Sequence, residues 1–186
     1  MAKNKFSISK TFDWYLMDIM PIVEKYTLQP NYGEHGLYTH TAAVVFRGID
    51  FATNLGKNPT SVVLACAFHD MARISNDEDP THGPNAVPLA NKAMDEIGNL
   101  GTTTRRLITY AVENHDSELT PPNYISACSW AADRVRRAWY GGYQPKYFAT
   151  PRAQYVAANA AADYLEFMRH NMSEYARKII ELSESY

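Results

Sequence analysis

Apolar side chains recur along this chain at spacings of three and four rather than two, the pattern of helices that each bury one face. Phe12, Leu16, Ile19, Ile22 and Val23 mark a first helix, with Pro21 as a kink. Pro30, Gly33 and Gly36 make residues 28–37 a loop. A second helix is predicted from about Thr39 to Leu55, stopped by Gly56, and a third opens at Pro59 and ends near Asp70. The run from Val62 to Phe68 is apolar on every side, so this third helix is expected to be buried all round. A polar loop, Ser75 to Gly83, carries Asp77, Glu78 and Asp79, and a fourth helix is predicted from around Asn85. Pro88 is expected in its first turn, where amides are unpaired anyway. Thr102–Thr104 cap a fifth helix ending near His115, and Pro121 and Pro122 precede a sixth, about Asn123 to Tyr140. Gly141–Pro151 reads as loop, and a long final helix runs from Arg152 to about residue 183. The expected fold is all-α, a compact bundle of about six to eight helices in a single domain over residues 1–186.

Composition narrows the picture. The 186 residues are 46% hydrophobic and 20% charged, which suits a globular domain and argues against disorder. Eighteen basic against twenty acidic residues leave a formal charge of −2, so no basic field holds nucleic acid non-specifically, although small nucleotides stay open as ligands. Cys66 and Cys128 lack CxxC spacing, which excludes a zinc-thiolate site and argues against a disulfide framework; both are expected as buried reduced thiols. Residues 1–10 are polar, without the apolar stretch of a signal peptide, and the run at residues 62–68 is too short to span a bilayer. A cytoplasmic protein with no membrane partner is the expectation.

The candidate chemistry lies at predicted helix ends. His69-Asp70 closes the apolar third helix, so a carboxylate is placed at the negative end of a buried helix. Such a charge must be paired or bound to a cation; the alternatives are a metal ion or an arginine such as Arg73. His115 continues the apolar face of Leu107 and Ala111, where a hydrogen-bonded core histidine is the rival to a ligand. His40 opens the second helix and could be a cap; His82 precedes a helix and could be an exposed loop residue. Asp133 lies mid-helix, where pairing with Arg137 at i+4 is the bland reading.

Taken in order, His40, His69-Asp70, His82-Gly83, His115 and Asp133 resemble the HD-domain superfamily of metal-dependent phosphohydrolases, over roughly residues 32–140. The doublet alone is weak, since His115-Asp116 is a second one; the ordered set is more specific. The resemblance implies that His40, His69, Asp70 and Asp133 bind one metal. It also implies that His82 and His115 complete a second site, with Asp70 bridging, or contact substrate phosphate if one metal binds. One or two ions of Mn, Fe, Co, Ni or Zn suit mixed His/carboxylate ligation, Mg less so.

The implied reaction is attack of a metal-activated water on phosphorus in a small phosphorylated substrate, a nucleotide or another phosphomonoester or phosphoanhydride. His82, His115 and Arg73 are candidate catalytic groups, and Arg47 and Arg137 candidate substrate ligands. Glu113 or the Asp77–Asp79 loop could orient a histidine, although a solvated turn is the simpler reading. Tyr32, Tyr38 and Trp130 could stack a base, against simple packing. The HHE and GYP motifs of the cyclic-dinucleotide phosphodiesterases of this superfamily are missing between His115 and Asp133, and Met71-Ala72-Arg73 departs from the acidic residues of the alarmone hydrolases. The C-terminal helix is expected to pack on the core or, in a homodimer, on a second subunit. The rival functions are an HD-fold di-iron oxygenase and an inactive metal-binding sensor or scaffold.

Overall fold

The computed structural model describes residues 6–30, 36–75, 77 and 79–183. Tyr32, Gly33, His35 and Glu78 lie outside the described residues. Among those described, the chain is helical with no strand, as the periodicity predicts.

α1 (Ile8–Trp14) runs through a π-helical turn (Tyr15–Ile19) into α2 (Met20–Tyr26). The turn sits just before Pro21, and the Met20 amide reaches back five residues to the Tyr15 carbonyl. The wider turn lets the helix continue past a residue that has no amide to donate. A second π turn (Leu37–Thr41) leads into α3 (Ala42–Asn54). Gly56 ends that helix at φ 66°, the left-handed conformation that suits glycine. α4 (Thr60–Phe68) follows, with every residue from Val62 to Phe68 buried, as its sequence requires. It packs against α3, α6 (Thr102–Glu113) and α7 (Tyr124–Gly141). The Asn123 side chain caps α7 by accepting from the Ile125 and Ser126 amides.

Two expectations change. α5 (His82–Ile97) begins three residues before Asn85, because the backbone after Asp79 already turns: the His82 amide donates to the Asp79 carbonyl and the Asn85 amide to the Thr81 carbonyl. Pro88 therefore lies beyond the first turn, exposed, so the Pro84 carbonyl it cannot bond can meet water. The predicted final helix is three: α8 (Pro151–Ala158), α9 (Ala161–Asn171) and α10 (Glu174–Ser183). Extended backbone at Asn159 and Ala160, and again at Met172, breaks it. The breaks let α8 and α9 fold back onto α3. Asp50, buried on α3, accepts from Arg152 Nε at 2.9 Å and Tyr164 Oη at 3.1 Å. Burial raises the Asp50 carboxyl above its usual range, with Arg152 opposing. Trp139 of α7 stacks toward Tyr164 and donates to the Val156 carbonyl.

Gly48 fixes how closely α3 approaches α4. A Cβ there would lie 2.6 Å from Cys66 Sγ and 3.0 Å from Val62. Gly48→Ala is expected to destabilise by about 1–3 kcal/mol, lowering Tm by roughly 2–12 °C. Adding Cys66→Ala should recover part of the loss in thermal unfolding; an unchanged Tm in the single variant contradicts the close approach.

Candidate metal centre

Six side chains from separate parts of the chain converge at the inner ends of α3, α4, α5 and α6 and on the middle of α7. They form two groups: His40, His69 and Asp133, and Asp70, His82 and His115. Asp70 joins them. Its Oδ2 lies 3.2 Å from His69 Nε2 and 3.6 Å from His40 Nε2, while Oδ1 lies 3.3 Å from His82 Nε2 and 3.7 Å from His115 Nε2. Asp133 Oδ1 is 3.2 Å from His40 Nε2 and 3.7 Å from His69 Nε2.

The imidazoles are aimed by the backbone. His69 Nδ1 donates to the Cys66 carbonyl at 2.7 Å, His115 Nδ1 to the Val112 carbonyl at 2.8 Å, and His82 Nδ1 to the Asp79 carbonyl. In each case the partner is three residues back; the Cys66 and Val112 carbonyls lie in the last turns of α4 and α6, where carbonyls are unclaimed, and the Asp79 carbonyl, in the turn before α5, also receives the His82 amide. This fixes the tautomer and presents an Nε2 lone pair to the centre. His82 Nε2 and His115 Nε2 then face each other at 2.7 Å, and His40 Nε2 and His69 Nε2 at 3.2 Å. Ring nitrogens that meet so closely share a proton or hold a cation between them. Two imidazole nitrogens and an oxygen of the shared Asp70 carboxylate on either side, with Asp133 added on one, suit a borderline transition metal, so the donor set could hold one or two such ions.

Without a metal, the cluster distributes protons. Burial opposes ionisation of Asp133, but His40 and His69 outweigh it and hold its carboxyl well below the ordinary range. Burial also opposes a charged His69, yet Asp70 and Asp133 raise it well above its usual value. His82 is raised against burial by Asp70, whereas burial prevails at His40 and lowers it.

Gly83 is required by the junction. A Cβ there would meet the Glu113 carbonyl at 2.8 Å and His115 Nδ1 at 3.3 Å, so the start of α5 abuts the end of α6 only with glycine beside His82.

The remaining candidates fall in different places. Arg73 Nη1 lies 3.3 Å from His82 Nε2, and its other nitrogens donate to the Ser75 and Asp77 carbonyls. Arg47 is buried between α3 and α7 and donates Nε to the Ala132 carbonyl at 2.7 Å, a position suited to bracing the backbone beside Asp133 rather than reaching a substrate. Arg137 is largely exposed and meets Asp116, not Asp133, at 3.4 Å. Asp116, the second half of the other doublet, is thus outside the centre. Trp130 is no stacking platform: it is buried and donates Nε1 to the Ala111 carbonyl at 2.8 Å. Tyr38 is half-buried and donates to Glu24 at 3.0 Å, and Glu113 is exposed. In the acidic loop it is the backbone of Asp79 that orients His82; its carboxylate caps Thr81. Sequence reasoning missed Arg134, which is buried and donates Nη2 to the His115 carbonyl at 2.9 Å and to the Ser117 carbonyl. Its place among three arginines of one helix, Arg134, Arg136 and Arg137, gave no cue to which one turns inward.

No family model and no curated protein matches the chain. The fold does find a counterpart. The crystal structure of a predicted HD superfamily hydrolase from an uncultured Thermotogales bacterium, at 1.45 Å resolution, superposes with a TM-score of 0.62. The match covers 84% of this chain and 90% of that one at 17% sequence identity. The chain has an HD-domain fold.

Two outcomes are expected. A metal must displace the protons that Asp70 and Asp133 hold on His69 and His82, so metal binding near neutral pH should release protons. Apparent affinity should weaken as pH falls and strengthen as it rises through the elevated His69 value. Calorimetry in buffers of different ionisation enthalpy reads this directly; heats independent of the buffer contradict it. Gly83→Ala should lower metal affinity by about 10–100-fold by displacing His115, measured by competition with a chelating dye.

Proposed function

We propose that the protein is a metal-dependent hydrolase of small phosphate esters or anhydrides. The observation that carries this reading is the Asp70 carboxylate, divided between two groups of imidazoles deep in the bundle. In this reading His40, His69, Asp70 and Asp133 hold one divalent transition metal, and Asp70, His82 and His115 hold a second or, with a single metal, receive the substrate phosphate. When bound, the metal would supply a water acidified towards neutrality, and a counter-charge for phosphoryl oxygens.

The rest is done by the chain. The first group offers two carboxylates and two imidazoles, the second one carboxylate and two imidazoles. The second group therefore leaves more room for substrate oxygens. Arg73 stands on that side, its guanidinium held at two loop carbonyls and turned to His82, where it can offset charge developing on a phosphoryl group. Arg47 keeps Asp133 in place through the Ala132 carbonyl. Tight backbone bonds to His69, His82 and His115 keep the ligands from reorganising during the reaction.

The test uses dialysed protein resupplied with Mn, Co or Fe and a panel of nucleoside phosphates, diphosphates and generic phosphoesters. Turnover is expected with at least one. His69→Ala and Asp70→Ala should each abolish metal retention and lower kcat by at least about a thousandfold, comparable to losing a principal source of transition-state charge stabilisation. Arg73→Ala should lower kcat while leaving metal content unchanged. Activity that survives Asp70→Ala, or coloured protein that consumes O2 without phosphate release, overturns the reading.

A further inference from the structure

A cavity of about 120 Å³ opens between the Asp116–Glu118 segment, which directly follows His115, the outer half of α7 and the chain that follows it. Gly142, at φ 100°, ends α7 and sends the backbone back so that Tyr147 forms the far wall. Two arginines line it, Arg134 and Arg137.

Arg134 is the unusual one. It is only 7% exposed. Its guanidinium carbon lies 5.8 Å from the Trp130 ring centroid and 5.1 Å from that of Tyr147, which hold the group in one plane. One nitrogen, Nη2, is spent on the His115 and Ser117 carbonyls. Among the described residues, Nε and Nη1 have no hydrogen-bond partner and no carboxylate forms an ion pair with the group. These two donors are not sealed in the protein and are left to the cavity that the residue lines.

The acidic residues at the same cavity are already occupied. Glu118 accepts from Tyr147 Oη at 2.6 Å and Lys146 Nζ at 3.2 Å, and Asp116 faces Arg137 at 3.4 Å. That last pair is long and solvent-exposed, so it holds Arg137 weakly and can be exchanged for a ligand. Of the charged groups lining the cavity, Arg134 is the one with no carboxylate partner among the described residues.

The subsite is also within reach of the centre. Arg134 follows Asp133 directly, Asp116 follows His115, and Arg137 lies four residues, about 6 Å of helix rise, beyond Asp133.

We propose that Arg134 and Arg137 form a subsite for a second anionic group of the substrate, so that the preferred substrates are phosphoesters carrying a carboxylate or a second phosphate. This rests on the phosphoester reading above, and its test separates the two. The first arm uses full-length, metal-free protein titrated with inorganic phosphate, following the side-chain Nε–H resonance of Arg134 by NMR. Phosphate is expected to move it saturably, about tenfold more weakly in Arg137→Ala, and still to move it in Asp70→Asn. A resonance that does not move, or that moves equally in Arg137→Ala, overturns the subsite.

The second arm uses the metal-loaded protein and compares an aryl phosphomonoester with no further charge against phosphomonoesters bearing a carboxylate or a second phosphate. The ratio of kcat/KM values should favour the doubly anionic esters. Arg137→Ala should reduce that ratio about tenfold, chiefly through KM; an unchanged ratio overturns the assignment to substrate. Phosphate binding at Arg134 without turnover of any ester removes the hydrolase reading and leaves the anion subsite standing.

Discussion

The structure is organised around one buried carboxylate. Asp70 ends a helix whose apolar residues commit it to the interior, so its charge lies where water cannot reach and where the helix dipole is unfavourable. Leaving such a group alone costs several kcal/mol. Four imidazoles gathered round it resolve the problem, by carrying protons or by holding a cation among them. The constraint explains why α3, α5, α6 and α7 each direct one side chain to the end of α4.

The imidazoles are held by backbone atoms rather than by a second layer of acidic side chains. His69, His82 and His115 each use the carbonyl three residues earlier. At a helix interior that carbonyl would already be taken; at the C-terminal end it is free. Placing His69 and His115 at the ends of α4 and α6 thus satisfies orphaned carbonyls and fixes ring orientation together, while at the start of α5 the Asp79 carbonyl holds both the amide and the ring of His82. Gly83 permits it by removing the one methyl that would keep α5 and α6 apart.

This division explains what the sequence made legible. The all-α architecture and the burial of residues 62–68 follow from apolar periodicity and residue type, whereas the convergence of His40, His69, Asp70, His82, His115 and Asp133 was legible only through the resemblance of their ordered set to the HD-domain superfamily. Arg47, Trp130 and Arg134 were harder, because all three act on main-chain carbonyls, of Ala132, Ala111 and His115, which any residue supplies. The C-terminal breaks at Asn159–Ala160 and Met172 carry neither glycine nor proline. They are set by tertiary demands: Arg152 and Tyr164 must both reach Asp50, which a straight helix does not allow. Pro88 misled the placement of α5 because the start of that helix is decided upstream, at Asp79 and Thr81.

The Asp50 contacts span 102 and 114 positions along the chain. During synthesis from the N-terminus, α3 emerges with a carboxylate that has no counterpart until α8 and α9 leave the ribosome. The nascent α3–α4 pair can collapse on its apolar faces, yet it cannot close over Asp50 without stranding a charge. Final consolidation of the bundle is thereby deferred until Arg152 and Tyr164 have been made, and a product truncated before them is left with an open seam that proteases can recognise.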